Sequence, residues 1–460
     1  MKRFIDEEKF DMALEPSDWR YSAAIVGLNK YLKRIAGEEE FEIYDNEIKF
    51  NSSLITNEKY LEFIEKYYND ELHHKKVESI LSKDEWSDEQ VKYINELLKG
   101  NSIMKKTFGK LKFDGSNANE IIQIIENNRS QLILETFRNK RDMYANFANT
   151  NQLGTEGKEC CRLLGYYVDG GRKSKSIAYN FDVNSFNAED DRIFDFIPFA
   201  FSRGREAFFV NANYSLKRLI QKNDYLNDCI EAERSKKAEE GKEANSRQIL
   251  FRIIKEVAAF IDYDVEVITK NQTNNYFETI FIRKESIEIL RHLKFYDVFC
   301  FPFKRGDGHY LDVQKEVVEC ILNMRRIDGL IELFLKDNNT DREFLISQLV
   351  EINILICKEE GMKQSNKVAY ACAKAVVENF KKSKRENKII SYRQKLTNAI
   401  IFKDYDRVND ILTQLSIYAD VPFDFAFGLF EDFETNKDVA YTFINALASR
   451  KKIDENNGGN

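Results

Sequence analysis

From Leu311 to the end of the chain, apolar residues return every three or four positions with no stretch of alternation between them. That period fits helices and excludes strands. It marks Val313 to Phe334, Asp341 to Cys357, Ser365 to Glu386, Tyr392 to Phe402, Asp404 to Tyr418 and Asp438 to Arg450 as helical, with Asn339 or Thr340 as an N-cap and Gly361 as a stop. Consecutive amphipathic helices bury their stripes on one another, so residues 311–460 read as an all-helical bundle.

The residues before Leu311 mix both periods. Asp18 to Leu32 reads as a capped helix in which Gly27 leaves room for a close neighbour. Phe41 to Phe50 reads as a hairpin turning at Asp45-Asn46. Glu58 to Tyr68, Asp70 to Leu81, Asp88 to Leu98 and Asn119 to Arg138 are helical, and the neighbouring His73 and His74 are expected at the surface. Ile193 to Phe201, Ala207 to Val210, Tyr263 to Thr269 and Tyr276 to Ile282 read as strands, and Gln248 to Phe260 as a helix. Residues 228–247 are charged and poor in apolar side chains, which suggests a mobile insertion. The fold class is therefore α+β: a mixed domain at 1–310 with an antiparallel sheet and basic hairpins, then the helical bundle at 311–460.

Charge is distributed unevenly. The net charge is -7, yet residues 36–100 hold 17 Asp and Glu against 8 Lys, and residues 358–395 hold 11 Lys and Arg against 4 Glu. A basic block inside an acidic chain points to a polyanion met on one face. Cys161 to Phe181 concentrates that chemistry, since Gly170 and Gly171 supply a tight turn and Arg172, Lys173 and Lys175 follow directly. This hairpin tip is either a solvated turn or a phosphate-contacting arm. An amide-rich loop with Asn149, Asn151 and Gln152 precedes it, and amides are the side chains that bond base edges. Arg203 and Arg205 flank Gly204 in a second basic turn, and Lys304 and Arg305 open a third. Lys105, Lys106, Lys110 and Lys112 alternate with Phe108 and Phe113, which reads better as a connector with core rings than as a strand-binding track. Lys381, Lys382, Lys384 and Arg385 crowd the end of one bundle helix, suited to holding a nucleic-acid strand without reading its sequence.

Several classes are disfavoured. The seven cysteines form no C-x-x-C pair, so neither a zinc nor a disulfide framework is expected. No apolar leader and no long apolar run occurs, which suggests a cytoplasmic protein without a membrane segment. Nothing reads as a P-loop or a nucleophile elbow, and no cofactor is expected. Asp262, Asp264, Glu266 and Lys270 resemble a nuclease cluster, but Lys270 lies four residues beyond Glu266, about 13 Å along a strand. The residues favour a non-catalytic nucleic-acid-binding protein; a protein scaffold and a metal-dependent nuclease stand as alternatives.

DWRYSAAIVGLNKYL at 18–32, CRLLGYY at 161–167 and FDFIPFAFSRGREAFFVNAN at 194–213, followed by the helical part, resemble the large subunit of type I CRISPR Cascade complexes, in particular its divergent subtype A and B relatives. The resemblance spans most of the chain as pattern and organisation. One related group carries paired C-x-x-C motifs, absent here, so zinc binding is not implied. The resemblance implies a non-catalytic subunit that recognises the protospacer-adjacent motif in double-stranded target DNA, helps open the duplex and supports the displaced strand. Its implied partners are CRISPR RNA, the backbone, RNA-handle-binding and small subunits, and a helicase-nuclease. No single residue carries over by motif; charge and turn chemistry assign duplex contact to the amide loop and the Gly170 to Lys175 tip, and strand support to Lys381 to Arg385.

Overall fold

The computed structural model describes residues 2–3, 9–37, 39–83, 85–155, 162–165, 190–212, 215–239, 245–257, 263–273, 276–306, 308–337, 342–358 and 360–448. The chain divides into two compact units, Met1–Ile253 with Asp264–Phe281, and Ile254–Tyr263 with Ile282–Asn460. The second unit thus starts ahead of the change of period at Leu311.

The first unit is built around the helix Trp19–Ile35. Asp18 caps it, accepting from the backbone N–H groups of Arg20 at 2.8 Å and Tyr21 at 3.4 Å. Ala23 to Val26, Leu28, Tyr31 and Leu32 are wholly buried, more than one stripe of the helix, because elements pack on several sides. Gly27 is required by a close approach: a Cβ there would come within 2.0 Å of the Phe196 carbonyl oxygen. Phe196 belongs to a 3₁₀ helix, Arg192–Phe199, whose rings interlock with Tyr31, Tyr60, Phe63 and Phe137. This segment was expected as a strand. Its run of Phe and Ile is buried on all sides, and a short apolar run of that kind carries no periodicity to separate strand from helix.

One face of this core is closed by a four-stranded antiparallel sheet in the order β1-β2-β4-β3, with β1 Lys2–Arg3, β2 Met12–Leu14, β3 Phe41–Ile43 and β4 Ile48–Phe50. β3 and β4 form the expected hairpin, closed where Tyr44 N–H donates to the Glu47 carbonyl at 2.9 Å. Helices Asn57–Tyr67, His73–Leu81, Asp88–Leu97, Ser102–Phe108 and Ala118–Asn139 follow, the third opened by a capping box between Ser87 and Gln90. Phe108 and Phe113 are buried in a second apolar cluster while the four lysines between and around them are exposed, as a connector requires. His74 departs from expectation: it is fully buried and paired with Glu65 at 3.0 Å. A second sheet orders β5 Glu206–Asn211, β6 Val265–Asn271 and β7 Phe277–Ile282, with Phe208 opposite Thr269. Residues 228–239, expected in a mobile insertion, form the second half of the helix Leu216–Glu239, where Leu226 and Ile230 are buried four residues apart.

From Ile282 on, the second unit begins with the helix Lys284–His292 and a two-stranded hairpin, β8 Pro302–Lys304 with β9 Tyr310–Asp312. Helices alone follow: Val313–Leu322, Asp328–Lys336, Glu343–Cys357, Glu360–Lys382, Glu386–Ile401, Tyr405–Ala419, Ala426–Glu431 and Phe433–Ala446. Glu360–Lys382 packs its small residues Ala369, Ala373 and Val376 in the core, lying on Phe433–Ala446. A polar node ties the bundle together. Arg326 pairs with Asp328 and with the fully buried Asp438, each at 3.0 Å, and Asn353 donates to both carboxylates at 2.9 Å.

Candidate nucleic-acid interface

The amide loop is fixed from beneath by one buried ion pair. Arg162, 1% exposed, pairs with Asp195, 3% exposed, at 2.8 Å. The same guanidinium donates to the Gln152 carbonyl at 2.7 Å and to that of Thr155. Asp195 also accepts from the Tyr144 hydroxyl at 2.7 Å and from Gly154 N–H at 3.1 Å, while its own carbonyl accepts from the Tyr60 hydroxyl at 2.7 Å. Burial, and after it the Asp195 charge, pushes both tyrosine hydroxyls well above their ordinary range, so they remain neutral donors. Residues 162–165 lie beside the loop. Asn149 N–H donates to the Arg162 carbonyl at 2.8 Å and Leu164 N–H to the Phe147 carbonyl at 3.0 Å, around an antiparallel bridge between Ala148 and Leu163.

Of the loop amides, Asn151 is exposed and accepts from Arg138 at 2.6 Å, whereas Asn149 and Gln152 are half-buried. The structure therefore brings the amide loop against Arg162, Leu163 and Leu164 of CRLLGYY. Gly170, Gly171, Arg172, Lys173 and Lys175 lie outside the described residues.

The second basic turn differs from expectation. Because residues 192–199 form a 3₁₀ helix, the turn at Ser202 to Arg205 leads from a helix into β5 rather than joining two strands of one sheet. Gly204 adopts φ +127°, and a Cβ there would collide with the Arg234 guanidinium. Arg203 folds inward over the rings of Tyr67 and Tyr68, at 5.0 and 5.2 Å, and pairs with Asp70 at 3.1 Å. Arg205 is exposed. The third basic loop is the tip of the β8–β9 hairpin: Lys304, Arg305 and Tyr310 are exposed, Gly308 takes φ +85°, and Arg305 N–H donates to the His309 carbonyl at 2.8 Å.

The bundle carries a dense group of exposed cations among the described residues. Lys381, Lys382, Lys384 and Arg385 are all exposed at the turn between Glu360–Lys382 and Glu386–Ile401. Arg385 N–H returns to the Phe380 carbonyl at 2.8 Å and Lys384 takes φ +52°, the left-handed end that reverses the chain. Beneath the turn, buried Phe380 supports the rings of Tyr392 and Tyr418 at 6.4 and 5.7 Å. Arg385 and Lys388 lie over Tyr418 at 5.3 and 4.4 Å, and Lys395 over Tyr392 at 5.7 Å. The Lys388 hydrogen bond, then the charge of Arg385, lowers the Tyr418 hydroxyl below its ordinary value. Lys388 and Tyr418 were absent from the sequence-based set, although Lys388 lies only three residues past Arg385, in the first turn of the next helix.

Of the nuclease-like cluster, Glu266 and Lys270 lie four residues apart on the extended strand β6, as their spacing implies, and Asp262 lies outside the described residues. Glu266 accepts from the Asn211 side chain, and Lys270 is wholly buried over Phe277 at 5.7 Å. Among the described residues no group of three His, Cys, Asp or Glu is placed to hold a metal ion, and no helix is long and apolar enough to cross a membrane. Sequence reasoning also missed a cavity of about 380 Å³ in the first unit, lined in part by Ile55, Asn57, Gly154, Asp191 and Arg192. These residues come from distant parts of the chain, and no local pattern joins them.

The described residues thus comprise an α+β unit whose amide loop is held by a buried ion pair and a mainly helical unit with an exposed cationic corner. Residues 10–447 match the family of CRISPR-associated protein Csx8, and the chain belongs to that family. No curated protein and no solved structure matches it.

Proposed function

We propose that this chain is the non-catalytic large subunit of a type I CRISPR RNA-guided surveillance complex. The observation that carries the reading is the cationic corner of Lys381, Lys382, Lys384, Arg385 and Lys388, exposed on the mainly helical second unit of a CRISPR-associated protein. Such a corner neutralises phosphates of a single strand without reading bases, which suits support of a displaced DNA strand. The first unit, with its amide loop and the basic sequence Gly170 to Lys175, would recognise the protospacer-adjacent motif in the duplex and help to open it, while pairing with CRISPR RNA reads the remaining sequence. The exposed Phe402, Ile417 and Phe427, at 80%, 78% and 66%, suit surfaces covered by neighbouring subunits or by a helicase-nuclease.

The test is a complex assembled with Lys381, Lys382, Lys384 and Arg385 all changed to Gln. For four single-strand phosphate contacts the slope of log affinity against log salt should flatten by about 3. Target-DNA affinity should fall about tenfold or more while guide-RNA loading and assembly persist. An unchanged slope removes the corner from the interface. Cleavage of DNA by the purified chain with added metal, lost on Asp264→Asn, would favour a nuclease instead.

A further inference from the structure

The cavity in the first unit has the make-up of a nucleotide site. Its volume, about 380 Å³, is near the low end of small-ligand pockets, which run from about 300 to 1,000 Å³, so it suits one nucleotide rather than a peptide segment. Met12, Ile55, Tyr60, Ile193 and Phe196 give it apolar walls. Tyr60 and Phe196 are buried and meet edge to face at 5.3 Å, so these walls are rigid. The polar groups are few and directional. Asn57 is exposed, and its side-chain carbonyl accepts from Arg192, which orients the amide and holds the half-buried guanidinium at the cavity. Asp191 places a carboxylate among the lining groups, with one oxygen accepting from Ile193 N–H at 3.1 Å.

These groups divide as a nucleotide does. Apolar walls receive the plane of a base, a carboxylate and an amide meet its edge, and a guanidinium meets a phosphate. A carboxylate accepts from the exocyclic amine of adenine, cytosine or guanine, whereas uracil and thymine offer it only an N3–H flanked by two carbonyl oxygens that repel it, which favours an amino-bearing base. Gly154 lines the same cavity and donates its N–H to Asp195, so the cavity adjoins the amide loop and shares its support.

We propose that this cavity binds a single nucleotide with an amino-bearing base, extruded from a nucleic-acid strand that crosses the amide loop or supplied as a free mononucleotide. The proposal rests on the reading that the first unit meets nucleic acid. Two variants of the full chain probe it: Ile55→Trp, which fills the cavity from a half-buried position, and Arg192→Gln, which removes its cation. One arm measures affinity for a set of single-stranded RNA and DNA oligonucleotides in which one abasic site is moved along the strand. The wild type should lose about tenfold at one position, and Ile55→Trp should abolish that position dependence. The other arm titrates AMP, CMP and UMP; binding of AMP or CMP, weakened in both variants and at least about fivefold tighter than UMP, identifies a free nucleotide as the source. Strand binding without position dependence, together with no mononucleotide binding, overturns the cavity and leaves the wider reading standing. Loss of position dependence in Arg192→Gln alone keeps the proposal testable if Ile55→Trp fails to fold. No binding of any strand or mononucleotide overturns both.

Discussion

Arg203 and Arg385 are both flagged by sequence as cations beside a turn, and both lie over tyrosine rings, yet they occupy opposite situations. Arg203, in the first unit, covers Tyr67 and Tyr68 and is tied to Asp70 and to the Tyr67 carbonyl. Arg385, in the second, covers the edge tyrosine Tyr418 among exposed lysines. The first joins a turn to a helix end; the second leaves a guanidinium in solvent within reach of a polyanion. Basic residues in a sequence therefore do not measure a binding surface. What decides is whether the fold provides a carboxylate and carbonyl for each cation.

The largest test of this contrast uses the cation held most completely. Arg162→Met leaves the Asp195 charge buried without its partner and frees the Gln152 and Thr155 carbonyls. Removing one member of a buried pair costs about 3–5 kcal/mol, so a large fall in the denaturation midpoint is expected. Replacing Asp195 as well, in Arg162→Met with Asp195→Leu, should recover part of that loss because no unpaired charge remains. If the single variant unfolds within about 0.5 kcal/mol of wild type, the pair does not organise the amide loop.

Next in size is Arg203→Ala. Its pairing with Asp70 is partly solvated, but the ring packing and the carbonyl contact add to it, and a loss of about 1–2 kcal/mol is expected by chemical denaturation. Nucleic-acid affinity should stay within about twofold, since the guanidinium faces its own fold. The corner variants should do the reverse, lowering affinity while stability stays within about 0.5 kcal/mol. A drop in both quantities for Arg203→Ala would put this turn back among the contact residues.

These outcomes bear on how far sequence alone reaches. Helices were legible where caps and stripes agree, as at Asp18 and at the Ser87 capping box, because both signals are local. The hairpin of β3 and β4 was legible for the same reason. The segment 192–199 was not, since burial on every side erases the period that separates strand from helix. His74 looked like a surface residue because its partner Glu65 belongs to the preceding helix. The Arg162–Asp195 pair joins residues 33 positions apart across intervening chain, and the cavity draws on segments farther apart still. The cationic corner was legible as charge; its aromatic footing on Phe380 needed two further helices to be in place.

The same contrast has a pH-dependent form in a third cation, Lys270 on β6, which lies over Phe277 like the two arginines over their tyrosines but is wholly buried. Its ammonium donates to the Asn271 carbonyl at 3.2 Å, and burial lowers its pKa from 10.5 to about 8. Between those two values the unfolded chain binds more protons than the folded one, so stability must rise with pH from about 8 to about 10.5. Below about 8 the contribution is flat, because both states are then protonated. Lys270→Met keeps the chain length and removes the titrating group, so its stability should lack that rise and exceed the wild type's most clearly at neutral pH. Urea denaturation across the alkaline range measures both curves. Parallel slopes would mean that Lys270 is solvated in the folded state, which would place it with Arg385 rather than with Arg203.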